Sequence, residues 1–185
     1  MRCFLSLPLP PQVVDETVQR LAAARDRWPD LRWIPPERWH LTLVFLGDVS
    51  DVTLERLSLR VERVSRRSGP IRLRLEGAGR FDQRVLWLGV GGHREALQRL
   101  SASLAAAADR DGVPRESRRF RPHLTVARAR DPIDLEAVVA SLQDDSGSWF
   151  TADRITLVAS QLGATVEHRE LHAWPLVGPV GPDAA

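Results

Sequence analysis

The chain has no lysine and no tyrosine, only one cysteine, and no apolar run long enough to span a bilayer. A lone Cys3 excludes an internal disulfide and a cysteine-based zinc site. Its place in the apolar run Cys3-Phe4-Leu5 suits a small core residue better than a nucleophile. A membrane-crossing helix needs roughly 18 or more consecutive apolar residues. The opening Met1-Arg2-Cys3-Phe4-Leu5 reads as a strand rather than a signal peptide, so a cytoplasmic protein without a membrane partner is expected. Without lysine, all 26 basic residues are arginine, which is why a formal net charge of only +2 coexists with a pI near 9.8. Almost nothing titrates between neutrality and the guanidinium range. Any basic contact to a phosphate must therefore come from arginine, whose planar fork favours bidentate pairing. Glycine-rich phosphate loops of either nucleotide-binding type are also missing.

With 185 residues, 43% of them apolar, the chain can bury one sizeable core but is short for two independent domains. A single unit over residues 1–178 with a disordered tail at 179–185 is expected, with monomer as the default state. Strand, helix, strand, helix opens the pattern. Residues 2–7 are apolar; Val14, Val18 and Leu21 share a helical face; Trp33 to Pro36 closes a turn; Trp39 to Leu46 is a buried strand ended by Gly47-Asp48; Leu54, Leu57, Val61 and Val64 recur at helical spacing. Ile71, Leu73 and Leu75 alternate with charged residues and face the run Val85 to Val90 across turn residues, which predicts an antiparallel pair. A helix through Leu97, Leu100 and Leu104, a strand from Phe120 to Arg128, a helix from Leu135 to Leu142, and strands at Ile155 to Ala159 and Val166 to Trp174 follow. Helices set apart from antiparallel pairs imply an α+β class rather than a doubly wound sheet.

One tetrapeptide occurs twice, as His40-Leu41-Thr42-Leu43 and His123-Leu124-Thr125-Val126, each inside an expected strand. Alternation in a strand places each His and Thr on one face and the leucines and valine on the other. Two imidazoles and two hydroxyls converging on one centre suit a phosphate. One imidazole accepts a proton from water, the other donates to a departing alkoxide, and the hydroxyls donate to nonbridging oxygens. Zinc usually takes three or four ligands, whereas each strand offers one His among Thr and apolar residues, so neither metal nor cofactor is expected.

These motifs and their contexts resemble the two-histidine (2H) phosphoesterases, specifically the LigT-like RNA 2′,3′-cyclic phosphodiesterases of the 2′-5′ RNA ligase family. The likeness runs through Arg2 to Leu7, Trp33-Ile34-Pro35-Pro36-Glu37-Arg38-Trp39-His40-Leu41-Thr42-Leu43-Val44-Phe45-Leu46-Gly47, and Phe120-Arg121-Pro122-His123-Leu124-Thr125-Val126-Ala127-Arg128. It implies a bilobal α+β fold with pseudo-twofold symmetry and both motifs in a central cleft. It also implies opening of a 2′,3′-cyclic phosphate on RNA, or on a cyclic nucleotide, to a 2′-phosphate. In that resemblance His40 matches the proton donor, His123 the proton acceptor, Thr42 and Thr125 hold the phosphate, and Arg128 matches a phosphate-binding arginine. Strict alternation would put Arg128 opposite His123, so a bulge or strand end is required there. The same groups permit reversible 2′-5′ RNA ligation. A noncatalytic RNA-end-binding module is the alternative from another class, and the intact His and Thr pairs argue against it.

Weaker candidates surround this set. Arg115, Arg118, Arg119 and Arg121 precede the second motif and form either an RNA-steering loop or a solvated charged loop. Phe4, Phe45 and Phe120 are candidates for stacking on a base, although alternation assigns Phe45 to the core. His93 reads as an exposed residue at a helix start. His168 and His172 are expected on one face of a strand with no metal motif around them.

Overall fold

The computed structural model describes residues 1–113, 120–162 and 166–179, so Arg115, Arg118, Arg119 and most of the expected tail lie outside the described residues. Its elements are β1 (Arg2–Pro8), α1 (Pro11–Arg27), β2 (Arg32–Trp33), a 3-10 turn (Pro36–Arg38), β3 (His40–Asp48), α2 (Asp51–Ser65), β4 (Ile71–Phe81), β5 (Val85–Gly92), α3 (Arg94–Arg110), β6 (His123–Arg128), α4 (Glu136–Ser141), β7 (Phe150–Ala152), β8 (Arg154–Leu162) and β9 (Val166–Pro175). Local chemistry accounts for several boundaries. Pro11 opens α1 at a position where a missing N–H costs nothing, and Ser50 Oγ caps α2 by accepting from the Thr53 amide at 3.3 Å. The buried stripe of α1 is Val13, Thr17, Leu21 and Ala24, with Val14 and Val18 at its margin.

Two expectations need correction: the turn at Trp33 to Pro36 contains the end of β2, which pairs with β6, and α4 is shorter than expected because Leu135 and Leu142 form its caps. β7, three residues long, is an addition to the elements expected from the sequence. Short strands held only by a neighbour leave little periodic signal.

All strand pairs are antiparallel, in the order β7-β4-β5-β6-β3-β1-β8-β9, with β2 extending the β3 side of β6. The middle pair, β6 and β3, is flanked by β5 and β1, then β4 and β8, then β7 and β9. Each half thus supplies four strands, arranged about a pseudo-twofold at the β3–β6 seam. There Leu41 pairs with Leu124, and both are essentially buried. One face of the sheet carries Leu5, Leu7, Leu41, Leu73, Leu75, Leu86, Leu88, Leu124 and Leu157 into a single apolar core with the helices. The helices cross between halves. Ser101 Oγ on α3, which follows β5, donates to the Leu43 carbonyl of β3 at 2.8 Å, while Arg20 on α1 pairs with Asp145 near β7 at 2.8 Å. Among the described residues no helix is long and apolar enough to cross a membrane.

Because Leu124 is 0% exposed at the seam, Leu124→Ala should cost about 2–5 kcal/mol. Denaturant unfolding checks this; a loss no larger than that of a surface substitution would show that the seam is not where the halves are held together.

Candidate active site

The Leu41–Leu124 pairing decides the geometry of both motifs. In an antiparallel ladder it sets His40 across from Thr125 and Thr42 across from His123, all four on the face away from the leucine core. The expected convergence of two imidazoles and two hydroxyls is therefore the register itself. All four side chains are half-buried. Among the described residues neither threonine hydroxyl has a hydrogen-bond partner, so both can donate to a ligand.

The imidazoles are held in matching ways. His40 Nδ1 lies 2.8 Å from the Arg38 carbonyl and His123 Nδ1 lies 2.7 Å from the Arg121 carbonyl. A carbonyl only accepts, so Nδ1 carries the proton in each ring, and Nε2 is left to exchange protons with a ligand. Aromatic rings complete the clamps. Phe4 stacks on His40 at 4.6 Å, and Phe81 meets His123 edge-on at 4.8 Å with Trp87 at 6.2 Å. Trp87 in turn lies over Gly79, where any Cβ would collide with the indole.

Register shifts in three strands overturn simple alternation. In β6 the shift opposite Leu86 and Trp87 inserts Val126 as an extra residue, so Val126 and Ala127 are both buried and Arg128 returns to the face of His123. That supplies the bulge the resemblance required. In β3, shifts near Leu43 and Leu46 turn Phe45 out of the core; it is 47% exposed and sits 6.2 Å from Phe4 on the cleft side. The expected core role of Phe45 is thus incorrect. In β9, the shift at Leu171 places His168 and His172 on opposite faces rather than one. His168 packs 5.2 Å from both Phe4 and His40, while His172 packs on Trp174 at 4.4 Å on the other side. His168 is a cleft residue that pattern reading missed, since a bulge changes a side chain's face without any mark in the hydrophobic spacing. Phe120 is half-buried against the core, His93 is half-buried at the N-cap of α3 rather than exposed, and Arg121 covers Phe81 and Trp87 at 6.0 and 5.7 Å. Cys3 is buried as expected, and burial raises its thiol pKa.

Burial and nearby arginines set the electrostatics of this face. Burial pushes the His40 pKa down to about 4, against its hydrogen bond to Arg38; His168, Arg38 and His123 add repulsion. His123 is likewise lowered by burial first and then by Arg128 and Arg121, and His168 by burial and Arg38. Among the described residues no three His, Cys, Asp or Glu side chains gather as metal ligands.

The lowered imidazole values make stability depend on pH in a defined direction. Between about pH 6.5 and 4 the unfolded chain binds more protons at His40 than the folded one, so stability is full above that window and falls as pH drops through it. Melting temperatures from pH 7 to 4 should therefore decline less steeply in His40→Gln than in the parent. Added phosphate should raise the melting temperature more at pH 5.5 than at pH 8; equal shifts would contradict proton-coupled anion binding.

The family model of the 2′-5′ RNA ligase superfamily matches residues 9–164. An RNA 2′,3′-cyclic phosphodiesterase of Escherichia coli K12 is 33% identical over 179 residues, covering 95% of this chain and 96% of that one. Another, from Aquifex aeolicus, is 29% identical over 156 residues, covering 80% and 83%. The structure of E. coli LigT complexed with 3′-AMP matches with a TM-score of 0.80 at 28% identity, over 95% of this chain and 97% of that one. With paired motifs on a pseudo-twofold seam and a match across most of its length, the chain belongs to the 2′-5′ RNA ligase superfamily, as a LigT-like two-histidine phosphoesterase.

Proposed function

We propose that this protein hydrolyses RNA 2′,3′-cyclic phosphate ends to 2′-phosphates, with His40 as proton donor and His123 as proton acceptor. The observation that carries this reading is the pair of imidazoles on facing strands, each with Nδ1 tied to a carbonyl and Nε2 free. The names of the relatives support the substrate class.

His123 Nε2 takes a proton from water as the oxygen attacks phosphorus, forming one P–O bond. The P–O3′ bond breaks, and His40 delivers its proton to the leaving 3′-oxygen. The ring opens to a 2′-phosphate and a 3′-hydroxyl, and the proton count balances once His123 passes its proton back to His40 or to solvent. Thr42 and Thr125 hydroxyls and the Arg128 guanidinium hold the nonbridging oxygens, where negative charge builds in the transition state.

The donor must be charged before it can act, yet burial keeps free His40 neutral at pH 7. The cyclic phosphate resolves this conflict, because its negative charge beside the imidazoles favours the protonated form. The substrate thus helps to load its own acid.

Three outcomes test the proposal. His40→Ala and His123→Ala should each lower kcat/KM by about 100-fold or more while the protein stays folded by circular dichroism; full activity in either variant would remove the mechanism. RNA ending in a 2′,3′-cyclic phosphate, incubated in excess EDTA, should yield a 2′-phosphate by chromatography, whereas a 3′-phosphate would reverse the leaving group. With both imidazoles lowered, the singly protonated free enzyme is most populated on the acid side of 6.5. The kcat/KM optimum should lie there, with the kcat optimum at higher pH because the bound anion raises both groups.

A further inference from the structure

Beyond the two motifs, one end of the cleft holds positive charge that the proposed reaction does not use. Arg32 on β2 lies directly across the ladder from Arg128 on β6. Like charges facing one another across antiparallel strands oppose pairing, and here their repulsion acts on Arg128 together with that of Arg38. Arg38 leads into the first motif as Arg121 leads into the second. Its side chain is half-buried, and its Nε is buried with no hydrogen-bond partner. Several arginines elsewhere pair with carboxylates, as in Arg20–Asp145, Arg60–Asp111, Arg66–Glu62 and Arg74–Glu76, and others do not; what sets this group apart is that it gathers at one end of the motif face, with two guanidiniums facing across a ladder. Among the described residues, Arg32, Arg38 and Arg128 have no such partner.

A cyclic phosphate diester carries a single negative charge, and Arg128 with the two threonines already answers it. Two guanidiniums remain uncompensated. With Val126 bulged out of the ladder, Arg128 lies two positions from Thr125, about 7 Å at a rise of about 3.3 Å per residue, so Arg32, paired across from Arg128, lies beside the reacting centre rather than at it. An RNA end offers a second anion at that range, the phosphate on the 5′ side of its terminal nucleoside.

We propose that Arg32 and Arg38 form a subsite for this 5′ phosphate, so that the protein prefers ends carrying a phosphate in addition to the cyclic one over an unphosphorylated nucleoside 2′,3′-cyclic phosphate. This rests on the reading of the site as a cyclic phosphodiesterase and deepens it. The unpartnered Nε and the facing arginines are then a ready-made charge trap, in which the ligand supplies the counter-charge that the fold omits. The arrangement costs the free protein some stability, as like-charge pairs do.

The test compares kcat/KM for adenosine 2′,3′-cyclic phosphate, its 5′-phosphorylated form and a dinucleotide ending in the cyclic phosphate. The two forms with an added phosphate should be favoured roughly tenfold or more, mainly through KM, as expected for one charge-assisted contact pair. In Arg32→Gln and Arg38→Gln the ratio of phosphorylated to unphosphorylated kcat/KM should fall toward one. The melting temperature of Arg32→Gln should hold or rise as repulsion with Arg128 is relieved. Equal kcat/KM for all three substrates in the parent would overturn the subsite, as would variants that lose activity equally on all of them. Equilibrium binding of adenosine 2′,5′-bisphosphate against adenosine 2′-phosphate separates the two readings. A preference for the bisphosphate that vanishes in the variants supports the subsite even if no substrate is opened, and no preference in the parent refutes it whatever the catalytic result.

Discussion

The antiparallel pairing of Leu41 with Leu124 is the contact on which the remaining structure depends. It buries two leucines on the core side and, by the strict alternation of a pleated strand, turns two His-x-Thr pairs to the opposite side. The sheet grows outward from this seam, three further strands on each side with β2 added beside β6, and α1 and α3 tie one half to the other through Arg20–Asp145 and Ser101–Leu43. Core and cleft are therefore two faces of one interaction. A shift of a single residue at the seam would exchange them.

Chemistry follows from the same placement. Imidazoles on a sheet face, walled by Phe4, His168, Phe81 and Trp87, lose hydration, which lowers the pKa of both. Backbone carbonyls two residues upstream select the tautomer with Nε2 bare. Surrounding guanidiniums oppose imidazole protonation, and the same charge favours an anion at this face. The same low-dielectric surroundings that make an uncompensated charge costly also strengthen its contact with the ligand.

Much of this was legible in the residues. The repeated His-x-Thr in two apolar strands, the helical stripes of α2 and α3, the β4–β5 pair and the burial of Cys3 all express periodicities of 2.0 or 3.6 that a chain writes locally. Even the return of Arg128 to the His123 face could be required in advance, because the family resemblance demanded it against strict alternation. Phe45, His168 and His172 were misplaced for one shared reason. Each lies next to or beyond a register shift, and a bulge is chosen by the partner strand and the packing around it rather than by the spacing of apolar residues.

By itself the sequence determined the α+β class, the paired His-x-Thr motifs and a basic complement made of arginine alone, since these depend on residue type and on repeats within a few positions. Tertiary structure alone decided that Leu41 meets Leu124, that Arg32 faces Arg128, and that His168 shares a wall with His40. Those are pairings between residues distant in the chain. Their register is set by the summed burial of a whole sheet face, which no local window contains.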